Sequence, residues 1–284
     1  IPGYDYLFMG GGIATARNPS RLLAAQCAYS VAALKCGERI MVEAFGGSGN
    51  GATLAERRRH ANMMALMGTS LFVPHAFYMS YAGERKADFP PCEFYHAPFW
   101  EHYGYFSGYL GRISMLAHAG RPVSPVMVLS PIRTAYRQIA EDGRLKNSVE
   151  AYALFSRLSY DLMSRQRSHI YIDEEHLARA KIEDGSIRMN DYIGKVPVLI
   201  VPGATVLLGS TVKFLRTFLR AGGRIIWIGG IPSVTCGGKV IPERIFSQAG
   251  SILLESYDIG RLAAMLDDWL ALPINIRCRK GDEL

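Results

Sequence analysis

Glu43 closes the mostly apolar run Arg39-Ile40-Met41-Val42 and is followed almost at once by the open segment Gly46-Gly47-Ser48-Gly49-Asn50-Gly51. Read as a short buried strand, the run puts a carboxylate at the strand's C-terminal end. In parallel α/β folds that end is the functional face. A carboxylate there costs burial energy unless it has partners or a task. Its task would be catalysis; otherwise a salt bridge holds it as a structural residue. His75 lies in the next apolar run, Val73-Pro74-His75-Ala76-Phe77-Tyr78. If that run is the neighbouring strand, the imidazole can approach Glu43 and orient it, although a strand histidine also serves as an ordinary core residue. Tyr78 follows at the strand end and offers a hydroxyl to a bound ligand. Trp100, in Phe99-Trp100-Glu101, offers an aromatic wall.

Other combinations carry less chemistry. Gly10-Gly11-Gly12 lacks both the dinucleotide fingerprint and the P-loop Lys and Ser/Thr. Cys236 is not on a strand-to-helix elbow, and no His–Glu pair follows it. The five cysteines are scattered and form no C-x-x-C pair, which argues against a disulfide framework and a zinc site. The formal net charge is +7, but the only tight basic cluster is Arg57-Arg58-Arg59, on an expected helix and with no nucleic-acid reading motif. No apolar run approaches the roughly 20 residues of a membrane span. Neither a nucleic-acid nor a membrane partner is expected.

The elements that must position these residues follow from periodicity and punctuation. A helix is expected over residues 19–36, ended by Gly37, and then the strand carrying Glu43. Thr53 caps a second helix through Met67, with Glu56 at the capping-box position. Ser70–Tyr78 is the second strand, which makes a strand–helix–strand unit with parallel strands. Pro98 starts a long helix to about His118, and Gly120-Arg121-Pro122 marks a boundary. Beyond it, short apolar strands at 126–129, 170–172, 198–201, 223–228 and 252–254 alternate with helices at 148–165, 211–219 and 259–270, the pattern of a second parallel α/β layer.

Glu43-Ala44-Phe45-Gly46, Gly68-Thr69-Ser70-Leu71-Phe72-Val73-Pro74-His75, Tyr78-Met79-Ser80, Gly83-Glu84-Arg85-Lys86 and Asp88-Phe89-Pro90-Pro91 occur in this order. Together with Tyr95-His96, Pro98-Phe99-Trp100 and Arg112-Ile113-Ser114, the series resembles a group of large bacterial glycoside hydrolases. These are related to the α-L-rhamnosidase family and more distantly to barrel β-galactosidases. The resemblance covers roughly residues 20–135. A weaker one over 190–232 is to the flavodoxin-like domain that follows the barrel in such β-galactosidases.

The resemblance implies that Glu43 ends the seventh strand of a (β/α)8 barrel and that Ser70–Tyr78 is the eighth. It implies a carbohydrate substrate, with Glu43 as nucleophile in a retaining enzyme or base in an inverting one; on that reading His75 is the expected orienting partner, and Tyr78 and Trp100 are the expected sugar-facing groups. In the rhamnosidase-like enzymes calcium assists sugar binding; no calcium ligand is assignable, and no other cofactor is implied. The chain departs from the pattern in lacking about the first five barrel strands. The expected fold is therefore α/β, the C-terminal part of a (β/α)8 barrel over 1–121 followed by a flavodoxin-like doubly wound parallel sheet over 122–284. As a C-terminal fragment it is expected to be inactive alone, its acid/base residue standing upstream of Ile1. The competing reading is a non-catalytic carbohydrate-binding or oligomerisation module. The second domain is expected to buttress the barrel or to build a homo-oligomer interface.

Overall fold

The structure, a computed structural model, describes residues 1–6, 22–83, 90–142 and 148–270. Gly10-Gly11-Gly12, the start of the helix expected from residue 19, residues 84–89 and Cys278 lie outside the described residues. The chain divides into two compact units, Ile1–Pro122 with Asn190–Ile193, and Val123–Met189 with Gly194–Leu284.

The first unit runs β1 (Gly3–Tyr6), α1 (Leu23–Leu34), β2 (Met41–Ala44), α2 (Leu54–Leu66), β3 (Leu71–Pro74), a 3₁₀ turn at Trp100–His102 and α3 (Tyr103–Ala119). Its three strands are parallel and neighbour one another in chain order, β1-β2-β3. Val42 is the register partner of Phe72, the pairing that a strand–helix–strand unit requires. Thr53 and Glu56 form a complete capping box. The Thr53 hydroxyl accepts from the Glu56 amide, and the Glu56 carboxylate accepts from the Thr53 amide. Such a cap stabilises a helix by about 1 kcal/mol and fixes where it begins. Gly68 hands α2 to β3 at φ +85°, where a Cβ would also stand 2.7 Å from the Tyr29 ring, so both conformation and space demand glycine.

Two expected elements are shorter or broken. The strand expected over Ser70–Tyr78 is only Leu71–Pro74, so His75 and Tyr78 follow the strand rather than lie in it. The helix expected from Pro98 opens as the 3₁₀ turn and becomes α-helical only at Tyr103. Arg57-Arg58-Arg59 is no basic patch, because Arg57 is buried.

The second unit is built on five parallel strands: β4 (Val126–Leu129), β5 (His169–Ile172), β9 (Val198–Pro202), β11 (Arg224–Ile228) and β13 (Ser251–Leu254). They stand in the order β13-β11-β9-β4-β5, which is 2-1-3-4-5 when the strands of this sheet are counted along the chain from the β5 edge. Every residue of β4, β5 and β9 is buried, as for strands covered on both faces. The connecting helices are α4 (Ile132–Asp142), α5 (Ser148–Ser164), α6 (Glu174–Arg179), α7 (Gly209–Arg220) and α8 (Ile259–Trp269). Between α6 and β9 lies a small antiparallel sheet of β6 (Lys181–Glu183), β7 (Ser186–Arg188) and β8 (Lys195–Val196). β10 (Val206–Leu207) and β12 (Val234–Thr235) pair beside the main sheet.

His169, within β5, makes the stability of this unit pH-dependent. Its Nε2 lies 2.8 Å from the Ser159 hydroxyl and its Nδ1 3.2 Å from the Arg167 carbonyl, which suits a neutral ring that donates from Nδ1. Burial holds its pKa down at about 4 against an ordinary 6.5. The unfolded chain therefore takes up the proton first, and the stabilisation is complete above 6.5 and lost as pH falls toward 4. The loss is expected to be on the order of 3 kcal/mol. Urea unfolding of the second unit at neutral and acidic pH measures it, and His169→Gln should remove most of the difference.

Candidate active site

β2 alternates. Val42 and Ala44 are wholly buried, whereas Met41 and Glu43 point to the other face. The Glu43 side chain is 48% exposed, so the carboxylate expected in a buried strand sits on an open sheet face instead. Val73, its register partner on β3, is 43% exposed on that face, and Asp5 of β1 is its partner on the other side. The His75 amide donates to the Ala44 carbonyl at 2.8 Å, which carries the β2–β3 ladder one residue past the strand. This places His75 Nε2 4.0 Å from Glu43 Oε1. Glu43 therefore faces an imidazole and solvent. The Tyr78 ring meets His75 edge-on at 6.1 Å. Glu43, His75 and Tyr78 thus come together as expected from their order.

Trp100 is placed differently. Its rings neighbour Tyr103 at 5.7 Å, Phe94 at 5.1 Å and Phe77 at 6.4 Å, in an aromatic cluster that leaves Trp100 36% exposed. It is one exposed corner of a packed cluster, with Phe77 at 45% exposure another, and Tyr103 links the cluster to Glu93.

The residues beneath this site were not anticipated. Arg57 of α2 and Glu93 are 1% and 0% exposed, and Arg57 Nε donates to Glu93 Oε1 at 2.7 Å. The guanidinium also donates to the Ala52 carbonyl and lies 4.5 Å from the centre of the Phe99 ring. Glu93 is held in place by its backbone. Its amide donates to the Ala76 carbonyl at 2.8 Å, and the Ala76 amide donates to the Pro91 carbonyl at 3.1 Å. These bonds bring Glu93 next to the residue that follows His75. Burial raises the Glu93 pKa; Arg57, the Tyr103 hydroxyl and His75 oppose that rise. Burial and the Glu93 carboxylate in turn push the Tyr103 phenol up. Glu93 is a second carboxylate near His75, but it is sealed from solvent and committed to Arg57, so it can support the site without reaching a ligand. Nothing in the spacing of Arg57 and Glu93 marks them as partners, because the pair spans 36 positions and a proline-rich loop.

Among the described side chains the site presents the accessible Glu43 carboxylate beside an imidazole, on a platform stiffened by a buried ion pair. Glu43 can act as a base or as a nucleophile toward a ligand on the open face. Among the described residues no three His, Cys, Asp or Glu side chains gather as metal ligands, so the calcium implied by the resemblance has no assigned holder. Among them, also, no helix is long and apolar enough to cross a membrane.

No family model and no curated protein matches the sequence. Solved structures do. A rhamnosidase from Novosphingobium sp. PP1Y superposes with a TM-score of 0.60 at 14% identity, over 82% of this chain and 21% of its own. Gan42B, a GH42 β-galactosidase from G. stearothermophilus, superposes with a TM-score of 0.56 at 14% identity, over 85% of this chain and 34% of its own. The chain thus spans between a fifth and about a third of the length of these structures. It has an α/β fold of parallel sheets that it shares with portions of two glycoside hydrolases.

Proposed function

We propose that the chain is the C-terminal part of a glycosidase's (β/α)8 barrel followed by a flavodoxin-like domain, and that Glu43 acts in hydrolysis of an O-glycosidic bond. The observation that carries this reading is the half-exposed Glu43 carboxylate at the end of a parallel strand, 4.0 Å from His75. Three consecutive βα units without a reversal of strand order are what a segment of a barrel contains. The order 2-1-3-4-5 of the second sheet is the flavodoxin-like one. Hydrolysis needs two carboxylates flanking the bond, one to protonate the leaving oxygen and one to act at the anomeric carbon. Glu43 fills the second role, as nucleophile or base, and His75 orients it. Tyr78 and Trp100 are the sugar-facing groups, of which Trp100 requires the ligand to extend toward the aromatic cluster. The α-L-rhamnoside-like specificity rests on the resemblance alone.

A three-stranded sheet cannot close, and an open barrel leaves its inner face bare. The 284-residue chain alone is therefore expected to leave aryl α-L-rhamnosides, β-D-galactosides and β-D-mannosides intact. A protein that adds the preceding barrel strands is expected to hydrolyse at least one of them. Turnover by the isolated chain that vanishes in Glu43→Gln would reject the fragment reading. No turnover of any glycoside by the longer protein would favour the non-catalytic module.

A further inference from the structure

The second unit holds a cleft apart from Glu43. Its sheet has a switch point between β4 and β9. From β4 the chain winds outward to β5, and from β9 it winds the other way to β11 and β13. Connections that leave neighbouring strands in opposite directions open a crevice at the strands' C-terminal ends, where open α/β sheets bind ligands. Here Leu129, Ser130 and Ala204 close tightly on that point. Beside it, sharing Arg133 and Val206, lies a cleft of about 600 Å³ with Arg133, Tyr136 and Arg137 of α4 on one wall and Val206, Val234 and Cys236 on the other. That volume suits a small molecule.

The walls are fixed before any ligand arrives. The Thr205 amide donates to the buried Thr134 hydroxyl at 2.9 Å, tying the β9–β10 loop to α4. The Leu208 amide donates to Glu174 at 2.6 Å, and β10 pairs with β12.

The chemistry of the cleft is cationic on an apolar floor. Arg133 and Arg137 stand one helical turn apart, and both line the cleft. Their partners are Glu175 and Glu141, each at 2.6 Å, with carboxylates 62% and 56% exposed. Exposed pairs of this kind contribute about 0–1 kcal/mol, so an entering anion can take either guanidinium at little cost. Arg133 Nε is a buried donor with no acceptor. Glu174, beside the switch point, accepts from the Leu208 amide, and burial raises its pKa. We propose that this cleft binds a small organic anion, its carboxylate or phosphate held by Arg133 and Arg137 and its apolar or aromatic body lying against Tyr136, Val206 and Val234. This inference does not depend on the glycosidase reading.

Cys236 is an exposed thiol on the cleft wall and reports occupancy directly. The test is its alkylation by iodoacetamide in the 284-residue chain, followed by peptide mass spectrometry, with the exposed Cys27 and Cys36 as internal references. The buffer should be alkaline, because burial and Glu174 raise the Cys236 pKa. Phenyl phosphate at ten times its dissociation constant should slow the Cys236 reaction about tenfold and leave the references unchanged. Arg133→Met combined with Arg137→Met should weaken that protection by tenfold or more, on the order of what charge-assisted hydrogen bonds supply. Absence of protection at any concentration would overturn the proposal, as would protection unchanged in the double variant. Equal protection by inorganic phosphate would overturn the apolar part, and equal protection by neutral phenyl β-D-glucoside would overturn the anionic part.

Discussion

Arg57→Met is expected to destabilise the first unit by about 3–5 kcal/mol, the cost of leaving one member of a buried ion pair without its partner. Glu93 would remain at 0% exposure with no countercharge. The melting temperature should fall on the order of 10–20 °C. The effect has a pH signature. Burial already raises the Glu93 pKa above the ordinary 4.5, so this carboxyl favours the folded state when protonated. Its favourable contribution is complete below the unfolded value and is lost as pH rises through the folded value. Without Arg57 the folded pKa climbs further, so the deficit of the variant should be greatest at neutral pH and shrink as the solution approaches pH 5. Pairing Arg57→Met with Glu93→Leu should recover much of the loss, since two apolar groups of similar volume replace a buried pair at little net cost. A double-mutant cycle by urea unfolding measures the coupling. Equal, additive losses for the two single variants, with no dependence on pH, would show that the pair is not the source of the stability.

What the chain revealed before folding depended on how local the physics was. The start of α2 was legible to the residue, because Thr53 and Glu56 satisfy one another across a single turn. β4 was legible for a similar reason: the four apolar residues Val126–Leu129 between Pro125 and Ser130 are enough for a strand and too few for a helix. The hairpin at Asp184-Gly185 was legible and went unread. Both residues take positive φ, 49° and 69°, and an Asp-Gly between alternating apolar residues is among the strongest short-range hairpin signals. α4 and α6 went unread as well, although Asp173 caps α6 in the ordinary way. At the site, the order Glu43, His75, Tyr78 sufficed because neighbouring strands of a parallel sheet convert sequence order into proximity. Arg57 and Glu93 were beyond reach. Their meeting depends on a loop that folds back to pair residues 91–93 with Ala76, and a tertiary hydrogen bond of that kind has no periodicity. Nor was the exposure of Glu43 legible, since an apolar run looks the same whether one or both of its faces are covered.

Glu43→Gln, made in a protein that carries this chain with the rest of its barrel, is expected to lower glycoside turnover by roughly 10³-fold or more, the contribution of a nucleophile or positioned base. Folding should be nearly untouched, within about 0.5 kcal/mol, because the side chain is half exposed and substitutions of that kind seldom matter to stability. The choice of substrate separates the two roles that Glu43 can fill. A dinitrophenyl glycoside has a leaving group that departs without protonation, so its rate does not depend on the second carboxylate. With this substrate and Glu43→Ala, azide can enter the space that the carboxylate vacates and attack the anomeric carbon as the bond from that carbon to the departing dinitrophenolate oxygen breaks. If Glu43 is a nucleophile, rescue gives a glycosyl azide of inverted configuration, whereas the unaltered enzyme returns a product of retained configuration. If Glu43 is a base that activates water, the unaltered enzyme already inverts. His75→Gln should leave the configuration unchanged and reduce the rate by less than Glu43→Gln, since the imidazole at 4.0 Å orients the carboxylate and does not touch the anomeric carbon. Near-normal turnover by Glu43→Gln on both ordinary and activated glycosides would remove Glu43 from the mechanism and leave it as a surface carboxylate of the sheet.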